Sequence, residues 1–94
     1  MKDEEIELNT AILAWKKGFP KKLGKITQSL LQRWLREKYK INISMINGSN
    51  TINLYYYEIN MVNKYPIKGD GSKNYTYEQA LEEGLYKALE LIKN

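Results

Sequence analysis

The chain has 94 residues, a formal net charge of +4 and 43% hydrophobic residues, and it contains neither cysteine nor histidine. That length allows one modest core, so a single α+β domain over residues 1–94 is the expectation, and the apolar content argues against disorder. The missing residue types exclude disulfides, zinc sites of the usual kind and histidine-activated nucleophiles, which points away from an enzyme and from any cofactor.

The charge is unevenly placed. Lys2 faces Asp3, Glu4, Glu5 and Glu7 at the start, whereas Lys16, Lys17, Lys21, Lys22, Lys25, Arg33, Arg36, Lys38 and Lys40 are opposed only by Glu37 over the next stretch. A concentrated positive field favours an anionic partner: nucleic acid, a nucleotide or an acidic protein surface. The charged N-terminus does not read as a signal peptide and no apolar run approaches a membrane span, so a cytoplasmic setting away from the membrane is expected.

The first helix is expected from about Glu4 to Lys17, capped by Asp3, with acidic residues near the positive end of its dipole. Leu8, Ile12, Trp15 and Phe19 recur at helical spacing and form its apolar stripe. Gly18 suits a left-handed residue after the helix, and Pro20 stops continuation. The short link PKKLGK implies that the next helix is a near neighbour.

That second helix starts near Thr27. Leu30, Leu31, Trp34, Leu35 and Tyr39 fill one half of its wheel, with Ser29, Arg33, Arg36 and Lys40 on the opposite side. Lys38 falls in the apolar half, so either the helix frays there or the lysine stem packs while its ammonium reaches water. Alternation over Ile41, Ile43 and Met45 predicts a strand, Asn47 to Asn50 a turn, and Thr51 to Asn60 a second strand, completing a hairpin. In that second strand Ile52, Leu54 and Tyr56 share one face, and Tyr55, Tyr57 and Ile59 share the other. Met61 to Lys68 is a possible third strand that Pro66 confines to an edge or end.

The last helix carries the clearest signal. Thr76 and Gln79 form a capping box, and Leu81, Leu85, Ala88, Leu89 and Ile92 form a buried stripe. Glu83 and Lys87 are spaced to pair on the wet side, and Ala80, Gly84 and Ala88 are small enough to let the helix lie close on a sheet. The expected order is α-α-β-β-(β)-α, with a small antiparallel sheet of two or three strands packed by helices.

TQSLLQRWLREKYKINI followed by TYEQALEEGLYKALELI resembles a family of small hypothetical proteins encoded by phages and prophages of gut anaerobes. The likeness rests on Lys17-Gly18-Phe19, Trp34-Leu35-Arg36-Glu37 and the stretch from Tyr77 to Leu85. Members of that family carry a longer, aromatic and polar insert between Phe19 and Ile26, where this chain has PKKLGK. The resemblance implies a phage context and brings no activity with it. In layout the chain is also similar to double-stranded RNA-binding domains, whose last helix begins with phosphate-touching lysines. Here that position reads Thr76-Tyr77-Glu78-Gln79, with Glu82 and Glu83 following, and the sign is wrong for that mode.

Three functional readings follow. The first is a non-enzymatic binding protein, of a counter-defence kind, that sequesters an anionic nucleotide signal or blocks a host protein. Its contact groups would be Lys21, Lys22, Lys25, Arg33, Arg36 and Lys40, with Tyr55 and Tyr57 stacking on a base if the second face of the sheet is open. The second is non-specific nucleic-acid binding by Arg33, Arg36 and Lys40. The third is a structural homo-oligomer, with an edge strand near Thr51 to Asn60 available for pairing.

Overall fold

A computed structural model describes residues 3–21, 24–48, 54–73 and 75–93. The elements run α1 (Leu8–Lys16), α2 (Gln28–Tyr39), β1 (Asn42–Asn47), β2 (Tyr55–Asn60), β3 (Ile67–Lys68) and α3 (Tyr77–Glu90), an α+β fold with a three-stranded antiparallel sheet in the order β1-β2-β3.

Leu31, Leu35, Ile59, Leu85 and Leu89 are fully enclosed at the centre. α3 lies at the middle of the helical layer, packing on β2, β1, α1 and α2. All three helices start at the same end of the molecule. Glu82 of α3 accepts a hydrogen bond from the Glu7 N–H ahead of α1 (2.9 Å) and another from Gln28 Nε2 at the start of α2 (3.2 Å). At the far end Lys17 Nζ donates to the Ile92 carbonyl (2.6 Å) and Tyr39 Oη donates to the Lys17 carbonyl (3.0 Å). The link between α1 and α2 must therefore run back along the helices. The two are joined less by direct packing than through α3 and through Phe19, whose ring meets Trp34 edge-on at 5.2 Å.

The N-terminus departs from the expected helix. Residues 4–6 are extended and pair with 26–28: Gln28 N–H donates to the Glu4 carbonyl (2.8 Å) and Ile6 N–H to the Ile26 carbonyl (3.0 Å). Helical propensity in Asp3–Glu7 is a weak local preference, and a paired segment that also buries Ile6 outweighs it. Asp3 still caps a helix, but the helix is α2, through the Ser29 N–H and hydroxyl. Glu7 occupies the N-cap position of α1 without a side-chain cap.

The apolar stripe of α1 is also rotated from its expected place. Thr10, Ala11 and Ala14 are buried, while Leu8 is 69% and Ile12 39% exposed. Periodicity weighted by hydrophobic size favours the large side chains, but α1 packs on α3 through its small ones.

α2 follows its pattern more closely. Thr27 Oγ1 accepts from Leu30 N–H, and Leu31 and Leu35 are completely buried. Lys38 holds its ammonium 5.8 Å from the Trp34 ring centroid, a cation–π contact made by an exposed lysine. The helix ends at Lys40, in the left-handed conformation at φ 57°, which lets Ile41 N–H reach the Leu35 carbonyl (3.2 Å).

In the sheet Ile43 pairs with Ile59 and Met45 with Tyr57. The second half of the expected turn, and the first residues of the expected second strand, fall at 49–53, outside the described residues. β2 is the central strand rather than an edge. β3 covers its far side at Ile59–Ile67, Gly69 N–H donates to the Tyr57 carbonyl (2.9 Å), and Tyr55 N–H donates to the Tyr75 carbonyl (3.2 Å). The third strand is only two residues long, because Asn63 takes a left-handed turn (φ 61°) and Pro66 has no N–H for a ladder.

α3 has both halves of its capping box. Glu83 does not pair with Lys87. It turns instead to Lys73 (3.5 Å) and accepts from the Tyr75 hydroxyl (3.1 Å), both from the loop before the helix.

The closest approach of α3 to the sheet is at Gly84. A Cβ there would lie 2.8 Å from Tyr57 Cβ and 2.9 Å from Cγ. Gly84→Ala would gain about 1 kcal/mol of helix propensity but incur about 1–3 kcal/mol of overpacking. A net loss of stability is expected, read as a lower urea midpoint, and an unchanged or raised midpoint would show the contact to be soft. Glu82→Ala removes the acceptor that joins the starts of α1 and α2 and should cost about 1–2 kcal/mol in the same measurement.

Candidate functional site

Parallel helices put three positive dipole ends at one pole and three negative ends at the other. The chain's charge follows that arrangement. Asp3, Glu4, Glu5, Glu7, Glu78 and Glu82 lie around the helix starts, and Lys16, Lys17, Lys38, Lys40 and Lys93 lie at or just beyond the helix ends. Part of the basic concentration is therefore accounted for by folding, including Lys40, which sits at the α2 terminus.

The remaining sequence-derived contact residues divide into two groups. Lys21 and Lys25 belong to the link and stand over the outer side of α1. Lys21 Nζ is 5.8 Å from the Trp15 ring centroid, and Lys25 borders a hollow with Leu8, Ala11 and Trp15. The Trp15 Nε1 is buried there without a hydrogen-bond partner among the described residues. Lys22 lies outside the described residues.

Arg33 and Arg36 form the second group. Both are exposed on α2, one turn apart, and border a shallow hollow of about 470 Å³ with Asp3, Ser29 and Gln32. Neither arginine has an acidic partner within salt-bridge distance among the described residues. Gln32, beside them, is occupied in donating to the Ile43 carbonyl of edge strand β1 (2.9 Å). Lys40 follows Arg36 by about one turn, at the left-handed residue that ends the helix.

Tyr55 and Tyr57 do not join either group. Their face of the sheet is the one beneath α3: Tyr57 is 8% exposed under Gly84, and Tyr55 meets Tyr77 edge-on at 5.6 Å. The open face, which would have allowed stacking on a base, is the other one, carrying Ser44, Ile46, Tyr56 and Glu58.

Another concavity lies elsewhere. A groove of about 510 Å³ runs between the start of α1 and the outer side of α3. Glu7, Glu82, Glu83 and Glu90 supply its acidic groups and Lys87 its cation, while Tyr57, Tyr75 and Tyr86 supply its aromatic surface. Glu83, Tyr86, Lys87 and Glu90 recur at helical spacing, so part of the groove is legible on the α3 wheel. Glu7 and Tyr57 arrive only through tertiary packing.

No family model, curated protein or solved structure matches this chain.

At the head of α2, Asp3 is held below its ordinary pKa of 3.8, chiefly by the Ser29 hydroxyl; slight burial opposes this, and the Ser29 N–H and the Thr27 side chain add to the lowering. A carboxyl with a depressed folded-state pKa contributes stability above its unfolded value, and that contribution is lost as pH falls through the folded one. Asp3→Asn should therefore lower the urea midpoint at pH 6, and its deficit relative to wild type should shrink as pH drops below 3.8. A deficit that stays constant with pH would mean that the charge of Asp3 does not matter.

Proposed function

We propose that the chain is a non-enzymatic binding protein whose α2 outer face docks on an extended anionic partner, an acidic protein surface. The observation that carries this reading is the pair Arg33 and Arg36. They are exposed, adjacent and without acidic partners among the described residues, while the opposite side of α2 supplies the core. A guanidinium pair one turn apart is suited to bidentate contacts with carboxylates.

Two considerations favour a protein over other anions. Sequestering a nucleotide would need a stacking platform beside the cations, and Tyr55 and Tyr57 lie beneath α3 instead. A polynucleotide would meet Arg33, Arg36 and Lys40 on this face but also Asp3 and Glu37 close by, a weak footprint for backbone binding. In the phage setting that the family resemblance implies, the partner would be a host protein, blocked by occupation of its acidic patch.

The test compares Arg33→Glu/Arg36→Glu with a control, Lys64→Glu/Lys93→Glu, of equal charge change. Poly-glutamate serves as the acidic polypeptide probe and a generic DNA duplex as the polynucleotide. Retention by poly-glutamate at low salt should be lost in the arginine variant and largely kept in the control, with both variants melting as wild type does. Equal loss in the two would sink the site assignment. Tighter retention by duplex DNA, lost in the arginine variant, would favour the nucleic-acid reading. A wild-type mass in solution above one chain that the arginine variant reduces would favour self-association.

A further inference from the structure

We propose that the hollow between the start of α1 and the link to α2 binds a small amphipathic carboxylate, a short alkyl chain ending in a carboxyl group. The site shares no residue with the Arg33/Arg36 face and does not rest on that reading.

Trp15 is the sign of a missing ligand. Its Nε1 is closed to solvent, and among the described residues it is the one buried side-chain polar atom without a hydrogen-bond partner. An indole N–H donates and cannot accept, so only an acceptor atom satisfies it. A buried donor left unpaired is costly, and native folds keep few of them. The ring itself is half-buried and borders the hollow. The exposed Lys21 stands over it, with Nζ 5.8 Å from the ring centroid. A shift of that flexible side chain and a small tilt of the ring give an acceptor in the hollow access to the nitrogen.

Charge sets the sign of that acceptor. Lys25 borders the hollow and Lys21 lies over its aromatic wall. Both are exposed, with no acidic partner within salt-bridge distance among the described residues. Glu5 is the one acidic residue on the rim among the described ones, so the cations outnumber it. An oxygen that accepts from Trp15 and faces these ammonium groups belongs to an anion, and charge-assisted contacts of this kind are the stronger ones. One indole donor flanked by two lysines matches the two oxygens of a carboxylate.

The walls set the other half of the ligand. Ile6, Leu8, Ala11 and Ile26 line the hollow, so its body is apolar. Leu8 is 69% exposed and Ile12, one turn along, 39%, although the hydrophobic period of α1 points both to the core. Large aliphatic side chains kept in water beside an apolar hollow offer an alkyl chain surface to bury. At about 300 Å³ the hollow is at the lower end of small-ligand sites, which suits a short chain.

The experiment titrates the folded chain with octanoate below its micellar concentration, with octanol as the tail alone and acetate as the head group alone. Binding is followed by amide chemical shifts and by the Trp15 indole N–H resonance, assigned through Trp15→Phe. Octanoate should give saturable shifts around the hollow and move the indole resonance downfield, the direction of a new hydrogen bond. Octanol should bind several-fold more weakly and leave the indole resonance in place, and acetate should not bind. Lys25→Gln and Leu8→Ser, both at exposed positions, should each weaken octanoate several-fold while melting as wild type does. Glu5→Gln should strengthen it. Octanol binding as tightly as octanoate, an indole resonance that octanoate does not move, or Lys25→Gln without effect would overturn the proposal. So would a wild-type dimer that Leu8→Ser returns to single chains, because a second copy would then be what covers the hollow.

Discussion

The structure depends on how closely α3 can approach β2. Tyr57 is a large side chain on the central strand, and Gly84 is the residue above its Cβ and Cγ. With hydrogen in place of a side chain, α3 settles low enough for Leu81, Leu85 and Leu89 to be enclosed. It then presents its flanks to both other helices, and Glu82 reaches the head of each. A helix held further out would lose contact with the sheet and with the two starts at once, since interiors tolerate little extra volume.

Aligned helices impose an electrostatic constraint of their own. Like ends of three dipoles gather at each pole, and each pole needs opposite charge nearby. The acidic start of the chain and the lysines at helix ends meet that need, with Glu82 accepting from the α1 start and Lys17 donating to the carbonyl of Ile92. Much of what reads in the sequence as a partner-seeking field is therefore already engaged at the poles. Arg33 remains outside that account, and Arg36, although in the last turn of α2, stays exposed with no acidic partner within salt-bridge distance among the described residues.

Local and patterned features were legible in advance wherever the governing contact lies within one element. The capping box at Thr76 and Gln79, the Thr27 cap, the buried Leu31 and Leu35, and the left-handed Gly18 are of this kind. Failures occurred where a distant segment supplied the partner. Asp3 caps α2 because residues 4–6 pair with 26–28, and Glu83 prefers Lys73 and Tyr75 to the lysine one turn on. On α1, Thr10, Ala11 and Ala14 outrank the larger Leu8 and Ile12 because close packing on another helix selects for shape, which hydrophobic periodicity does not encode.

Taken alone, Thr27 to Ile43 determined a capped amphipathic helix with a basic outer face leading into a strand, because period, cap and charge all act within a few residues. The sequence also determined the α+β class, through periods that switch from helix to strand and back. Only the tertiary structure decided that Tyr55 and Tyr57 lie beneath α3 and that β2 is central. It alone brought Glu7 and Tyr57 to the same groove as Glu90. Those outcomes turn on which surfaces meet across long stretches of chain, and the meeting is set by the fit of Gly84 over Tyr57 rather than by any local preference.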